Sequence, residues 1–378
     1  MILLFTYLLS HAFAHHSITD TMEALHNNLR KLEFPQSAEQ AVNYIHSQCQ
    51  KFSQSGVPSA QELSSLIEFI DEFVFSTSRG VKPGKKARKL TSIQQLQLIQ
   101  VLADYFTSEQ DFNLLCSVFM IIFMVQGKDI EYKVSTLAKL LSFSLAVNAV
   151  AILNFGGVWV TQQTPTSTHS LLVARHLVQD YICTQPQVCS TLKHLPSQSP
   201  LFTTNLIAAI GELYSRVGEE PDYSGYTPPP TPVVELVTAW LRGSGEGAEL
   251  SQGGQGVMPV PGTSPAASLL SWTVMSPLVG EQGDIYSLLH HTLVETILAS
   301  KGEKVPLKYL THLTEGLLAK LNSSSFTDQQ TCKALDRFGQ LMTAALGGSK
   351  AKPDKDLVML INQLPPNRLV QIVLNRMC

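Results

Sequence analysis

Charge is scarce in this sequence. Asp, Glu, Lys and Arg make up only 15% of its 378 residues, and the formal net charge is −3. Such a balance gives no global attraction to nucleic acid or to acidic membrane, so any basic surface must be local. Cysteine is sparse as well. Cys49, Cys116, Cys183, Cys189, Cys332 and Cys378 are spread too thinly for the disulfide framework of a small secreted domain, which weakly favours a reducing compartment. Cys183 and Cys189 are separated by five intervening residues, which does not fit a zinc knuckle, and Cys116 in LLCSVFMIIFMV reads as a buried free thiol. No uninterrupted apolar run is long enough to span a bilayer. Strand signals are nearly missing: there is no sustained two-residue alternation and no Asn-Gly hairpin, and the one strand-like scrap is Val158–Trp159–Val160.

Recognisable reaction chemistry is missing too. The chain has no Gly-x-Ser-x-Gly, P-loop, His-Glu-x-x-His or dinucleotide fingerprint. His290 and His291 are adjacent, and neighbours on a helix point about 100° apart, so they are poor co-ligands and read as solvated surface. His169, His176 and His194 are scattered. Glu68, Asp71 and Glu72 resemble a carboxylate cluster, but they fall on the polar side of a helix and read as a solvated face. No catalytic residue, metal ligand, cofactor or small-molecule substrate is expected.

What the sequence does have is helix. Hydrophobic residues are 44% of the chain, enough for a substantial core. In SAQELSSLIEFIDEFVF, Leu63, Leu66, Ile67, Ile70, Phe73 and Val74 form one helical face, and Ser59 with Glu62 has capping-box spacing. Ser37 with Gln40, Ser92 with Gln95, and Thr327 with Gln330 repeat that spacing before further apolar stripes. One stripe holds Leu96, Ile99, Leu102, Ala103 and Phe106. Residues 114–125 and roughly 137–153 are apolar nearly all round and predict central helices of a large bundle. The expected fold is all-α, an irregular HEAT- or armadillo-like array of antiparallel helix pairs with loop insertions. Its helical array runs to residue 216 and is followed by a Pro-rich linker at 217–232. A middle section at 233–281 carries a mobile Gly/Ser-rich insertion at 243–265, and a C-terminal helical section occupies 282–378.

One charged run stands out. RGVKPGKKARK places Arg79, Lys82, Lys85, Lys86, Arg88 and Lys89 in a Pro/Gly loop. Nuclear import or a charged partner is the functional reading, and an ordinary solvated loop is the plain one. No aromatic residue interleaves the charges, so direct nucleic-acid binding is not expected. The opening MILLFTYLLSHAFA is compatible with a secretory signal through Ala12-Phe13-Ala14, yet no Lys or Arg precedes its apolar run.

Several strings in order resemble the Integrator complex subunit 15 family. EFVF (72–75) precedes the basic loop, and LTSIQQLQLIQVLADYF (90–106) follows it. ARHLVQDYICTQPQVCSTLKHL (174–195), PVVELVTAW (232–240) and SPLVG (276–280) come next, then LDRFGQLMTAAL (335–346) and LPPNRLVQIVL (364–374). Each is mainly a helix face, and the shared order from about residue 22 onward carries the resemblance. The positions Glu72, Phe73, Phe75, Tyr105, Phe106, Asp180, Tyr181, Trp240, Pro277 and Gly280 read as structural motif positions. Trp240, Trp272 and the basic loop are the candidate partner anchors, burial in the core being the simpler reading of the tryptophans.

The resemblance implies a non-catalytic, nuclear connector in the assembly that cleaves nascent RNA polymerase II transcripts, including small nuclear RNA 3′ ends, and terminates early elongation. Endonuclease and phosphatase activities in that assembly belong to other subunits. The partners implied are other Integrator subunits, especially the module of subunits 10, 13 and 14, with no membrane and no cofactor. It also implies a start at Met22, with residues 1–21 an apolar extension outside the fold. The alternatives are a HEAT-like adaptor outside Integrator, or a secreted helical protein if residues 1–14 act as a signal.

Overall fold

The computed structural model describes residues 19–77, 88–108, 111–215, 228–246, 265–280, 283–299, 305–323, 325–346 and 355–377. Almost all of these are helical, so the chain is all-α as expected. It forms two compact units, one ending at Trp159 and one beginning at Val160. The division expected in the Pro-rich segment 217–232 does not coincide with this boundary. The helix that precedes that segment packs against residues 265–269 beyond it, so one core runs across it.

The N-terminal unit contains α1 (Thr19–Leu29), α2 (Gln36–Ser55), α3 (Ala60–Phe73), α4 (Ser92–Phe106), α5 (Phe112–Ile122), α6 (Ile130–Val147) and most of α7 (Val150–Gln163). Helix α2 packs against α1, α3, α4 and α5, and α4 packs against α6. Helix α3 begins with the expected capping box: Ser59 N donates to Glu62 Oε2 at 2.8 Å, and Glu62 N donates to Ser59 Oγ at 3.2 Å. Its buried face is Leu66, Ile67, Phe69, Ile70 and Phe73. An aromatic core joins α4, α5 and α7. The rings of Phe106, Phe119 and Phe155 lie 5.2–5.8 Å apart, within the range of favourable edge and tilted contacts.

Local expectations needed correction here. The α4 cap is Thr91 with Gln94, one residue earlier than Ser92 with Gln95. The buried face is accordingly Leu98, Ile99, Leu102, Ala103 and Phe106, and Leu96, about 200° around from Leu98, faces solvent. Helix α2 starts at Gln36 with no side-chain cap, and Ser37 is buried in its first turn. The apolar segment 137–153 is two helices, not one. Asn148 takes a left-handed conformation (φ 56°) that ends α6, and its N–H donates to Ser144 O; asparagine is among the few residues that adopt it readily. Val158–Trp159–Val160 is helical within α7, and Trp159 Nε1 donates to Phe123 O at 2.8 Å. Strand occurs among the described residues as a two-residue ribbon, β1 (Ser76–Thr77) antiparallel to β2 (Arg88–Lys89).

The C-terminal unit holds α8 (Thr168–Leu177), α9 (Val188–Leu192), α10 (Leu195–Gln198), α11 (Pro200–Ser215), α12 (Thr231–Glu246), α13 (Leu270–Met275), α14 (Ile285–Ala299), α15 (Leu307–Ser323), α16 (Asp328–Leu346), α17 (Lys355–Ile361) and α18 (Arg368–Met377). A π-helical turn, Val178–Ile182, follows α8, and 3₁₀ turns flank α13. Helix α11 packs on α8 and on residues 265–269, and α14 bridges α12 and α16. Gly211 permits the close contact with residues 265–269, because a Cβ there would overlap the side chain of Ser268. Thr327 and Gln330 form the expected box before α16. Helix α12 continues to Glu246, so the first four residues of the segment at 243–265 are helical, while 247–264 lie outside the described residues. No helix among the described residues is long and apolar enough to cross a membrane.

Candidate interaction site

Several polar groups with chemical capacity brace helix junctions. Asp71 and Glu72, expected on a solvated face, are both paired. Lys133 Nζ of α6 lies 2.5 Å from Asp71 Oδ1, with only 4% of the lysine side chain exposed. Lys133 also donates to Gln126 O at 3.1 Å and sits over the Phe75 ring, while Lys128 N donates to Asp71 Oδ2 at 3.1 Å. Gly127 makes this turn possible. Its φ is +88°, and a Cβ there would stand 2.8 Å from Asp71 Oδ2 and from Ile67 Cγ2. Glu72 accepts from Arg30 Nη2 at 2.7 Å and from Arg30 Nε at 2.9 Å, with His26 at 3.9 Å. Burial lowers the His26 pKa, with Glu72 acting against the shift and Arg30 adding to it. Of the carboxylate trio, Glu68 alone is exposed.

His290 is also a correction. It was expected at the surface beside His291, but only 3% of it is exposed. Its Nε2 lies 2.7 Å from Gln340 Oε1, and the imidazole pKa falls to about 4. Burial is the main cause; the Gln340 hydrogen bond opposes it, and Arg337 and His291 add to it. Arg337, itself buried, donates from Nη1 to Thr273 O (3.0 Å) and Ser276 Oγ (2.8 Å), and from Nη2 to Ser287 Oγ (2.8 Å). The fixed guanidinium fork thus ties α16 to α13 and α14.

The motif positions fall as follows. Phe73, Phe75, Phe106, Trp240 and Pro277 are buried, and Trp240 Nε1 donates to Leu192 O at 2.9 Å. Trp272 is fully buried as well. Tyr105 OH lies 2.7 Å from His46 Nδ1, and burial, followed by the nearby Cys49, pushes its phenol up. Asp180 lies 3.1 Å from His176 Nδ1 at the surface, Tyr181 is half-buried, and Gly280 ends a 3₁₀ turn in the left-handed region. Cys49 and Cys116 are buried thiols with pKa values pushed up by burial, to about 12 and about 11. Of the basic loop, Arg79, Lys82, Lys85 and Lys86 lie outside the described residues. Arg88 and Lys89 are exposed on β2, with Lys89 3.7 Å from Asp129.

Two surface features could engage a partner. The first is α4, whose outward side carries Ile93 and Leu96, 71% and 68% exposed. The second is a cleft of ≈ 330 Å³ in the C-terminal unit, between α11, residues 267–275 and α15. Glu212, Lys308 and Lys320 line it together, so its charge selects no single sign of ligand. Ser215 Oγ already bonds to Ser268 O and meets Ser271 Oγ, each at 2.8 Å.

The class these features define is an all-α protein whose buried polar groups brace helix junctions and whose free chemistry lies on helix surfaces. The profile of the family described as "Integrator complex subunit 15" matches residues 23–366, and the chain belongs to that family. It is 28% identical over 343 residues to Integrator complex subunit 15 of Drosophila melanogaster, covering 84% of this chain and 89% of the relative. The relative of the same description from Danio rerio is 27% identical over 368 residues (85% and 74% covered), and that from Homo sapiens 25% identical over 366 residues (82% and 77% covered).

Proposed function

We propose that this chain is a non-catalytic scaffold subunit of the Integrator complex in the nucleus. It links a peripheral module containing subunits 10, 13 and 14 to the complex core, and so serves RNA polymerase II transcript 3′-end processing and early termination. Family membership across residues 23–366 is the observation that carries this reading. The engagement of Asp71, Glu72, His290 and Arg337 in helix junctions supports a structural rather than a catalytic use of the chain's polar groups. The helices stack as an irregular HEAT-like array that leaves ridges for partners, where a few anchors carry most of the affinity. The basic loop from Arg79 to Lys89 serves import or a charged partner. The test is affinity purification of the C-terminally tagged chain from nuclear extract of its own cells, with mass spectrometry of what accompanies it. Integrator subunits, with 10, 13 and 14 prominent, are expected. Their absence, with the chain found in the secretory pathway, would overturn the reading.

A further inference from the structure

We infer that a third surface feature, the outward face of α14, pairs antiparallel with the same face of a second copy of this chain. Leu288, His291, Glu295 and Leu298 are exposed along one stripe, spaced by three, four and three residues. That is the a/d spacing of a coiled-coil seam. The opposite side of the helix is buried at Leu289, Leu293 and Ile297. Leu298 is 66% exposed and Leu288 39%. A single exposed leucine asks for no explanation; the order of these four residues does. The stripe is symmetric about Leu293. The two leucines stand five residues to either side of it, and His291 and Glu295 two residues to either side. When two such helices lie antiparallel about a twofold axis level with Leu293, positions along the helix invert. Leu288 then faces Leu298 of the second copy, and His291 faces Glu295 of the second copy, each pair occurring twice. The outer layers are apolar, and the inner layers join an imidazole to a carboxylate. A parallel pair would instead set each side chain against its own copy, carboxylate on carboxylate. Among the described residues neither His291 nor Glu295 has a hydrogen-bond or ion-pair partner, although they lie one turn apart on the same helix. His291 makes a ring contact with His290, centroids 5.8 Å apart. An imidazole N–H donates to a carboxylate whether the ring is neutral or protonated, so the inner layer is satisfied in either state. The seam is about 15 Å long, which makes this a small interface of the transient class.

The pairing belongs to this chain alone, so it is tested on the purified full chain and stands or falls independently of the Integrator reading. Sedimentation velocity between about 1 and 100 μM, the range in which a weak interface fills, should show monomer passing to dimer. Leu298→Glu is expected to weaken dimerisation more than about tenfold, the effect of losing an anchor of an interface. Val147→Glu, on an exposed residue of the N-terminal unit, is expected to leave it unchanged. His291→Glu sets carboxylate against carboxylate and should weaken the dimer. His291→Glu/Glu295→His exchanges the two groups and should restore it. The register is read by mild oxidation of cysteine variants and mass spectrometry of the linked peptides. Leu288→Cys mixed with Leu298→Cys should yield a disulfide between residues 288 and 298, and neither variant alone should link a position to itself. A wild type that stays monomeric to about 100 μM overturns the inference. So does a dimer that survives Leu298→Glu, an exchange variant as weak as His291→Glu, or a link between like positions. Should Leu298→Glu melt more than about 3 °C low, the exchange variant and the linkage decide.

Discussion

Lys133 of α6 holds Asp71 of α3 at 2.5 Å, with 4% of one side chain and 17% of the other exposed. Lys128 N–H and the Gln126 carbonyl complete the junction, so the N-terminal unit is pinned where α3, the 126–129 turn and α6 meet. Removing one partner strands a buried charge, which typically costs about 3–5 kcal/mol. Lys133→Met should therefore destabilise the chain by that order, and Lys133→Met with Asp71→Asn should recover part of the loss. Urea unfolding of the two variants checks this; equal stability of the single and double variants would contradict it.

His290 ties stability to pH. Its folded-state pKa, about 4, lies below the ordinary 6.5, so the folded chain binds fewer protons than the unfolded chain between those values. The neutral imidazole is fully accommodated above pH 6.5, and stability falls as pH drops from 6.5 toward about 4. At pH 5 the loss is of order 2 kcal/mol. His290→Phe should flatten the wild-type decline between pH 7 and pH 5, leaving the smaller slope to which His26, also lowered, contributes. Denaturant midpoints across that range measure it, and parallel slopes in wild type and variant would rule the coupling out.

The α4 cap gives a test at single-residue resolution. Thr91→Ala removes the acceptor for Gln94 N–H and should cost about 1 kcal/mol. Ser92→Ala, one residue on and outside the box, should lie within about 0.5 kcal/mol of wild type. The reverse order in thermal melts would move the helix start by one residue.

Arg337 should not be replaceable by lysine. A single ammonium cannot reproduce a planar fork that reaches Thr273 O, Ser276 Oγ and Ser287 Oγ together. Arg337→Lys and Arg337→Met are both expected to lose roughly 2–4 kcal/mol by leaving buried acceptors unmet. A lysine variant as stable as wild type would show that charge alone suffices there.

The helices were legible in the sequence because their apolar residues recur at helical spacing, and the Ser59 and Thr327 caps were legible because their side chains are local. Helix ends decided by tertiary context were not: Thr91 displaced Ser92 as cap by one position, and Asn148 divided an apolar run that carries no Gly or Pro. Lys133 and Arg337 were missed and His290 was read as solvated surface, although each stands at a core position of its own stripe. Lys133 precedes Val134 and Leu137, His290 lies between Tyr286 and Leu293, and Arg337 lies between Ala334 and Leu341. A lone polar residue at such a position is the signal of a buried bond. Its partners, tens of residues away, become visible only in three dimensions.

The linking role is tested most directly by acute depletion of this chain from its own cells, followed by sedimentation of nuclear Integrator on a density gradient. The predicted result is that subunits 10, 13 and 14 shift away from the endonuclease-containing core and return when the chain is restored. Unchanged co-sedimentation after complete depletion would contradict it.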